Sequence, residues 1–317
     1  MRVTVVGAGS WGTAFARVLL DRGHEVTLAA RDPDQARVIA ATGRNPRYAT
    51  GIDLGAARVV TTGALTGDAE LYVLAVPSQA FAAVAAALPD GAPVLSLTKG
   101  LDPATGDRLS LHVGDRRAAV LSGPNMAEEI AAALPTAAVL ASEDGFLAGE
   151  LQHALNSATF RVYVNPDVVG VELCAAAKNV IALAAGAVDG LSLGDNAKAA
   201  LITRGLAEMS RLGEACGARQ ETFSGLAGMG DLIVTCRSRH GRNRHAGELI
   251  AQGRTAEQAV AQIGQTVEGL TTAPVLRDLS RRLGVELPIT EGVCAVLDGQ
   301  SIGELLSRLM GRTPTEE

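Results

Sequence analysis

The chain has 317 residues, of which 47% are hydrophobic and only 3% aromatic, and its formal net charge is −6. This length is typical of two domains, and small aliphatic side chains suit helices packed closely on a parallel sheet. The negative charge argues against a general nucleic-acid-binding protein. The four cysteines form no Cys-x-x-Cys pair, so neither a zinc site nor a disulfide framework is predicted, and a reducing cytoplasm is the simplest setting. The sequence opens directly on a predicted strand, so no signal peptide is expected, and its apolar run near Val180–Val188 is too short to span a bilayer.

The first twenty residues predict a dinucleotide-binding unit. Val3 to Val6 is a β-branched run typical of a buried strand, and a helical segment, Ala14 to Leu20, follows it. Between them lie Gly7, Gly9 and Gly12 in Gly-x-Gly-x-x-Gly spacing. In this context the first glycine permits a tight turn, the second leaves room for a pyrophosphate, and the third lets the helix pack on the strand. The helix N-terminus would offer free N–H groups to the phosphates. The alternative is a glycine-rich turn that binds no ligand.

The end of the second predicted strand, Glu25 to Ala30, bears on the choice of dinucleotide. An acidic residue there favours NAD, whereas an arginine can accept the 2′-phosphate of NADP. Here Arg31 and Asp32 are adjacent, so the sequence leaves the choice open, and Arg31 slightly favours NADP. Both residues could instead be ordinary solvated charges.

The rest of the chain divides into a part rich in strands and a part rich in helices. Further strands are predicted at Val59–Thr61, Leu71–Val76, Val94–Leu97, Ala118–Leu121, Thr136–Leu140 and Phe160–Val164, with a helix at Phe81–Leu88. This alternation predicts a Rossmann-like, doubly wound α/β domain over residues 1–164. After Asn165-Pro166, helices are predicted at Asp167–Val188, Asn196–Ala215, Arg254–Ile263, Thr271–Leu283 and Ile289–Leu297. Residues 165–317 are therefore expected to form an all-α domain.

Two lysines are candidates for chemistry. Lys178 lies in a segment that is apolar on every face, and burial lowers the pKa of a lysine towards the range where it can exchange a proton with a substrate. A snorkelling side chain or a structural ion pair is the alternative. Lys99 follows a predicted strand, so it should lie at the carboxyl edge of the sheet, where it could hold a phosphate or a carbonyl oxygen. A surface lysine is the alternative there.

Three polar clusters accompany these lysines. Gly123-Pro124-Asn125 is typical of a strand-to-helix turn with Asn125 as N-cap. Asp231, after the glycine-rich run from Gly225, could pair with Lys178, bind a substrate hydroxyl or cap the next segment. The stretch Cys236 to His245 is a predicted loop with four arginines, which suits a phosphorylated substrate, a nucleic-acid patch or a solvated surface. Local sequence does not decide between function and capping for Glu268.

Together these pieces resemble the bacterial NAD(P)-dependent glycerol-3-phosphate dehydrogenases from end to end. The resemblance is carried by Gly7 to Ala14, Pro77-Ser78, Lys99-Gly100, Gly123-Pro124, Lys178-Asn179, Gly194 to Arg204, Gly228 to Leu232, Arg242-Asn243-Arg244 and Val267-Glu-Gly269. It implies an enzyme that reduces dihydroxyacetone phosphate to sn-glycerol 3-phosphate for phospholipid synthesis. It also implies a cytoplasmic homodimer that uses NAD(P)H and no metal, and neither binds nucleic acid nor inserts into a membrane.

The resemblance implies a role for each matching residue. Lys178 would be the catalytic proton donor and acceptor, with Lys99 and Asp231 positioning the alkoxide electrostatically. The substrate site would comprise Lys99, Gly123, Asn125, Lys178, Asp231, Gly241, Arg242 and Asn243. The cofactor site would comprise Gly7, Gly9, Ser10, Trp11, Gly12, Arg31, Lys99, Ala127, Arg242 and Glu268. Asn125 departs from the usual Ser or Thr, and Gly241 from the usual Ser, so position 241 offers the substrate only backbone.

Two other functions fit parts of the sequence. A β-hydroxyacid-type dehydrogenase would share the Lys-Asn pair but act on a carboxylate substrate, against which the arginine stretch argues. A non-catalytic NAD(P)-sensing protein would need the three glycines but gives no reason for Lys178 in an apolar helix.

Overall fold

A single mixed sheet forms the N-terminal part of the computed structural model, which describes residues 1–303. Its eight strands are β1 (Arg2–Val6), β2 (Glu25–Ala30), β3 (Arg58–Thr61), β4 (Leu71–Leu74), β5 (Val94–Ser96), β6 (Ala118–Ser122), β7 (Thr136–Ala141) and β8 (Phe160–Asn165). They lie in the order β3-β2-β1-β4-β5-β6-β7-β8. Every neighbouring pair is parallel except β6 and β7. The strands correspond to the apolar runs of the sequence, and the predicted doubly wound α/β fold is confirmed.

Helices cover the sheet and make up the described chain after residue 165. They are α1 (Ser10–Asp21), α2 (Pro33–Thr42), α3 (Ser78–Ala86), α4 (Ala127–Ala131), α5 (Gly145–Leu155), α6 (Val168–Gly190), α7 (Gly194–Ala215), α8 (Gln220–Ser224), α9 (Asp231–Arg237), α10 (Arg242–Ala251), α11 (Ala256–Ile263), α12 (Glu268–Leu283) and α13 (Pro288–Leu297). A π-helical turn, Leu226–Gly230, precedes α9. The helical C-terminal domain is therefore also confirmed.

The arginine stretch is not the loop that the sequence predicted. Its first half includes the last turn of α9, and α10 begins at Arg242. Ala246 and Leu249, three residues apart, are buried with Leu183 of α6 in one cluster. This short apolar face is interrupted by charged residues, which is why the pattern did not indicate a helix.

Helix α6 is the axis of the helical domain. It is long and apolar enough to cross a membrane, with a mean hydropathy of 1.7, but 89% of its apolar window is buried inside the protein. Helix α10 lies so close to α6 that a Cβ at Gly186 would lie 1.8 Å from the carbonyl oxygen of Arg244, and one at Gly247 would lie 1.9 Å from that of Leu183. The apolar surface of α6 is therefore covered by the surrounding helices, as in the core helix of a globular domain.

Candidate active site

Asp231 joins two lysines from different parts of the fold. It is the first residue of α9, and its Oδ1 accepts from Lys178 Nζ of α6 at 2.5 Å. Its Oδ2 lies 2.9 Å from Nζ of Lys99, which follows β5. The side chains of Lys178 and Asp231 are 5% and 2% exposed, whereas that of Lys99 is 17% exposed. The three predicted catalytic residues thus lie together where the carboxyl edge of the sheet meets the helical domain.

Burial and charge bring Lys178 into the range of proton transfer. Burial lowers its pKa to about 7, because loss of water penalises the ammonium form. Asp231 opposes this change and the nearby Lys99 ammonium reinforces it. Burial alone would raise the pKa of Asp231, but the two ammonium groups outweigh it and lower that pKa. The carboxylate therefore stays charged beside a lysine that can be charged or neutral near neutral pH.

Lys178 has a second fixed partner, Thr235. Its Nζ donates to Thr235 Oγ1 at 3.0 Å, and that hydroxyl donates to the carbonyl oxygen of Asp231 at 2.6 Å. Asp231 and Thr235 are four residues apart on α9, so they lie on the same face of the helix. Thr235 was not among the predicted site residues, although its i, i+4 spacing from Asp231 after a predicted glycine turn was the available signal.

The turn after β6 supports Lys99 from the sheet side. Lys99 Nζ donates to the carbonyl oxygen of Gly123 at 3.1 Å, and Ser122 Oγ donates to Asp231 Oδ2 at 3.5 Å. Asn125 does not cap α4 as predicted, because Met126 is the N-cap residue and Asn125 Nδ2 donates to the carbonyl oxygen of Ala137 on β7. Asn125 therefore ties the turn to the neighbouring strand.

A relay of amides connects α6, α10 and α12. Asn179, next to Lys178, accepts on Oδ1 from Asn243 Nδ2 at 2.9 Å, and Asn243 Oδ1 accepts from the N–H of Gly269 at 2.8 Å. A Cβ at Gly269 would lie 2.7 Å from the carbonyl oxygen of Asn179, so only glycine allows this approach. Three segments of the sequence resemblance thus meet beside Lys178.

The four arginines have different surroundings. Arg237, Arg239 and Arg242 are exposed, and Arg242 Nη1 donates to the carbonyl oxygen of Thr266 at 2.9 Å. Arg244 is buried, and its Nη1 lies 2.9 Å from both Asp189 and Glu248. Gly241 is buried before Arg242 and presents no side chain to a ligand. The stretch therefore contains three exposed arginines and one buried arginine held in ion pairs. Arg242 is the first residue of α10, next to Asn243.

The glycine turn has the geometry that the spacing predicted. Gly7 has a φ of +115°, and a Cβ there would lie 2.3 Å from the carbonyl oxygen of Ala75 after β4. A Cβ at Gly12 would lie 1.9 Å from the carbonyl oxygen of Gly7. By contrast, a Cβ at Gly9 would meet nothing within 4 Å, so that face of the turn is open at the N-terminus of α1. These are the features that let a pyrophosphate approach the backbone.

Ser10, Trp11 and Ala127 lie near this turn, on helices that contact each other. Ser10 and Trp11 open α1, and Ala127 opens α4, which packs on α1. The Trp11 ring packs edge-on against Phe15 with ring centroids 5.5 Å apart, and its buried Nε1 has no hydrogen-bond partner among the described residues.

Asp32 is engaged at the end of β2, whereas Arg31 is exposed. Asp32 is the N-cap of α2, accepting from the N–H groups of Asp34 and Gln35, and its other oxygen lies 2.8 Å from Arg47 Nη1. These backbone hydrogen bonds hold its pKa below its usual value. Helix α2 was not predicted from the sequence, and neither was the capping role of Asp32.

Glu268 links the helical domain to the sheet domain. It begins α12, and its carboxylate accepts from the N–H of Ser78 at 3.2 Å and from Ser78 Oγ at 2.6 Å, at the first residue of α3. Burial raises the pKa of Glu268. Its oxygen would lie 3.4 Å from a Cβ at Gly100, just after Lys99. Ser78 was quoted in the resemblance, but its partner could not be read from the sequence.

Comparison with known proteins gives one consistent result. Residues 2–148 match the family model described as NAD-dependent glycerol-3-phosphate dehydrogenase N-terminus, and residues 167–306 match the model of its C-terminus. The chain is 45% identical to glycerol-3-phosphate dehydrogenase [NAD(P)+] of Moorella thermoacetica, over 99% of this chain and 97% of that protein. It is 46% identical to the Streptomyces coelicolor protein of the same name, over 100% and 98%. The crystal structure of glycerol-3-phosphate dehydrogenase from Coxiella burnetii superposes with a TM-score of 0.93 at 37% identity, covering 98% of this chain and 99% of that one.

Proposed function

This chain belongs to the NAD-dependent glycerol-3-phosphate dehydrogenase family, and we propose that Lys178 is the proton donor with which it reduces dihydroxyacetone phosphate to sn-glycerol 3-phosphate. The observation that carries this assignment is the buried Lys178–Asp231–Lys99 cluster at the carboxyl edge of the sheet. Such a cluster serves the reduction of a ketone, in which negative charge develops on the carbonyl oxygen and a proton must follow.

The residues present fit a dinucleotide. The open face at Gly9 leaves space for a pyrophosphate that a side chain would fill, and the N–H groups of the first turn of α1 are directed there. NAD(P)H bound at this turn would supply the hydride. We propose that Gly7, Gly9, Ser10, Trp11, Gly12, Arg31, Lys99, Ala127, Arg242 and Glu268 form its site.

The chain's own residues would orient the substrate and move the proton. Lys178 gives its proton to the developing alkoxide and takes one in the reverse direction, as its pKa of about 7 favours. Asp231 and Thr235 fix the position of Nζ. Lys99 adds positive charge beside the same oxygen.

The other end of the substrate is a phosphate. Arg242 is the ligand we assign to it, because its guanidinium is exposed and its fork matches phosphate oxygens. Gly123, Asn125, Asp231, Gly241 and Asn243 complete the substrate site, with Gly241 contributing backbone alone.

We propose a preference for NADPH over NADH. Asp32 is committed to capping α2 and to Arg47, so its carboxylate is not free to accept hydrogen bonds from a ribose. Arg31 is exposed beside it, and Arg47 brings a second positive charge to the same corner. Because Arg47 is paired with Asp32, the exposed Arg31 leaves this corner with a net positive charge, which favours a 2′-phosphate.

Other expectations stay proposals. We propose that the domain boundary falls between residues 164 and 165, that the protein is a cytoplasmic homodimer, and that it does not insert into membranes. The burial of α6 supports the last point. Light scattering with size-exclusion chromatography would test the dimer, and a single monomeric mass at micromolar concentration would refute it.

The decisive experiment is to measure initial rates of NADPH and NADH oxidation with dihydroxyacetone phosphate, for the wild type and Lys178→Ala. We expect turnover with both coenzymes, faster at low concentration with NADPH. Lys178→Ala should lose at least about 10²-fold in kcat because the proton donor is removed, while its coenzyme affinity persists.

Each alternative has its own outcome. A folded wild type that binds coenzyme but does not turn over dihydroxyacetone phosphate would refute the assignment and favour a carboxylate substrate or a sensor. Full activity in Lys178→Ala would leave the substrate assignment unchanged and would assign the role of proton donor to Lys99.

A further inference from the structure

Two parts of the sequence without a role in the proposed function meet at one carboxylate, Asp189. It lies near the C-terminal end of α6. Lys198, from the Gly194 to Arg204 segment that begins α7, donates to its two oxygens at 2.9 and 2.7 Å. Arg244, from the arginine stretch, donates to Oδ2 at 2.9 Å. Asp189 therefore joins the ends of three helices.

Arg244 also reaches the turn that precedes Arg242. Its Nε donates to the carbonyl oxygen of Ser238 at 3.0 Å, and the same oxygen accepts from the N–H of Gly241 at 3.1 Å. Its Nη1 also donates to Glu248 at 2.9 Å. The buried guanidinium thus bonds to the α6 end through Asp189 and to the turn through Ser238.

We propose that Arg244, held by Asp189, is a positioning residue that fixes the phosphate-binding end of the substrate site at a set distance from Lys178. That end consists of Arg242 and the Ser238–Gly241 turn before it. The inference rests on the proposed function, because it takes Arg242 as the phosphate ligand.

Helix α6 sets the distance. Lys178 and Asp189 are eleven residues apart on it, about 16 Å along its axis. Helix α10 lies against the stretch between them without room for a Cβ at Gly186, and one at Gly190 would lie 2.6 Å from the carbonyl oxygen of Glu248. The first turn of α10, with Arg242, therefore cannot shift relative to Lys178 while Arg244 keeps its partners.

Arg244 and Arg242 differ in the charge of the groups that they bond to. The guanidinium of Arg244 is neutralised by two carboxylates, Asp189 and Glu248, so it is not available to a phosphate. Arg242 donates instead to a neutral carbonyl oxygen, that of Thr266, and among the described residues no carboxylate forms an ion pair with it, while Glu268 and Glu128 act on its charge from farther away. One arginine holds the turn and the other is presented by it.

The test is Arg244→Lys, which keeps the charge but cannot bond to Ser238, Asp189 and Glu248 together. We expect the KM for dihydroxyacetone phosphate and the inhibition constant of inorganic phosphate to rise about tenfold each, with kcat changed less than about threefold. The kcat/KM for dihydroxyacetone, which lacks the phosphate, should change less than about twofold. A purely structural defect would lower kcat/KM for dihydroxyacetone phosphate and for dihydroxyacetone by the same factor.

Asp189→Asn is the second variant, since it removes the charge that Arg244 and Lys198 share, and we expect the same pattern. Arg281→Lys, in an exposed ion pair with Glu291, is the matched control and should change none of these constants. Equal losses on both substrates, or unchanged phosphate affinity in both variants, would overturn the proposal. Calorimetric phosphate binding tests it without turnover, so failure of the wild type to reduce dihydroxyacetone phosphate would be a separate result.

Discussion

At the scale of single residues, the pKa of Lys178 predicts opposite pH dependence for the two directions of the reaction. Below about 7 the ammonium form predominates and can protonate the alkoxide, so the rate of ketone reduction should fall as pH rises through 7. Oxidation of glycerol 3-phosphate needs the neutral amine and should rise over the same interval. Profiles of kcat/KM from pH 6 to 9 in both directions test this, and parallel profiles would contradict it.

Asp231→Asn should be among the most damaging substitutions in the chain. It leaves two ammonium groups side by side without the carboxylate that compensates them, and removing one partner of a buried pair costs about 3–5 kcal/mol. We expect a lower free energy of unfolding and at least about a 10²-fold loss of kcat.

Denaturant unfolding and initial rates measure both effects of Asp231→Asn. The control is Asp195→Asn, at an exposed residue in the first turn of α7, which should change stability by less than about 0.5 kcal/mol. Equal effects of the two substitutions would contradict the central place of Asp231.

The sequence predicted the chemistry of individual residues better than their partners. Lys178 stood out because its segment is apolar on every face, and burial follows from that pattern alone. Thr235 and Arg47 did not stand out, and Ser78 was quoted without its partner, because each acquires its role from a residue in another element. Asn125 was predicted as an N-cap from local preference, but tertiary contact with β7 outweighed that preference.

At the scale of elements, substitutions at two glycines of the same turn should have different effects, one on stability and the other on NADPH affinity. Gly12→Ala places a Cβ 1.9 Å from the carbonyl oxygen of Gly7, so α1 must move and stability should fall by about 2 kcal/mol. Gly9→Ala meets open space and should fold normally, yet bind NADPH at least about tenfold more weakly, because the methyl group lies where the pyrophosphate approaches. Thermal unfolding and fluorescence titration with NADPH test this pair, and unchanged NADPH affinity in Gly9→Ala would contradict it.

Helix α13 depends on a carboxylate from α7. Glu208 accepts from the N–H groups of Ile289 and Thr290 at the start of α13, and burial raises its pKa to about 7. Between pH 4.5 and about 7 the Glu208 carboxyl is protonated in the folded state but ionised in the unfolded chain. The free energy of unfolding should therefore decrease as pH rises through this interval and level off above about 7. The measurement is denaturant unfolding between pH 5 and 8. Glu208→Gln should lose this part of the pH dependence, and an identical slope in the variant would contradict the assignment.

Element prediction succeeded where periodicity was strong. The buried strands are continuous apolar runs, and α6 and α7 have long uninterrupted patterns. Helices α2, α9 and α10 were not predicted, because few of their residues are buried or because glycines and arginines interrupt the apolar face. Their helical state is decided by packing on neighbouring elements, which a local pattern does not contain.

At the scale of the whole molecule, both apolar packing and polar contacts join the sheet domain to the helical domain. Ser78→Ala removes the hydroxyl that donates to Glu268 across the domains, and it should lower stability by about 1 kcal/mol. Because Glu268 also lies beside Gly100 near the proposed coenzyme site, the KM for NADPH should rise while the KM for dihydroxyacetone phosphate changes little. Steady-state kinetics decide this, and a selective rise in the substrate KM would contradict it.

The division into a sheet domain and a helical domain followed from the change of pattern after Asn165-Pro166. The convergence of residues 78, 99, 123, 178, 231 and 268 where the two domains meet did not follow from periodicity, because it is set by the way the domains pack. The family resemblance implied it for residues 99, 123, 178, 231 and 268, because it assigned them to the substrate and cofactor sites.

The acid strength of Lys178 depends on the contact between the domains. One of the influences that lower its pKa, the Lys99 ammonium, belongs to the sheet domain and acts only while that domain lies against the helical domain. Separating the domains would withdraw Lys99, so Lys178 would return towards the strong base that free lysine is. The packing of the two domains against each other therefore sets the acid strength of Lys178.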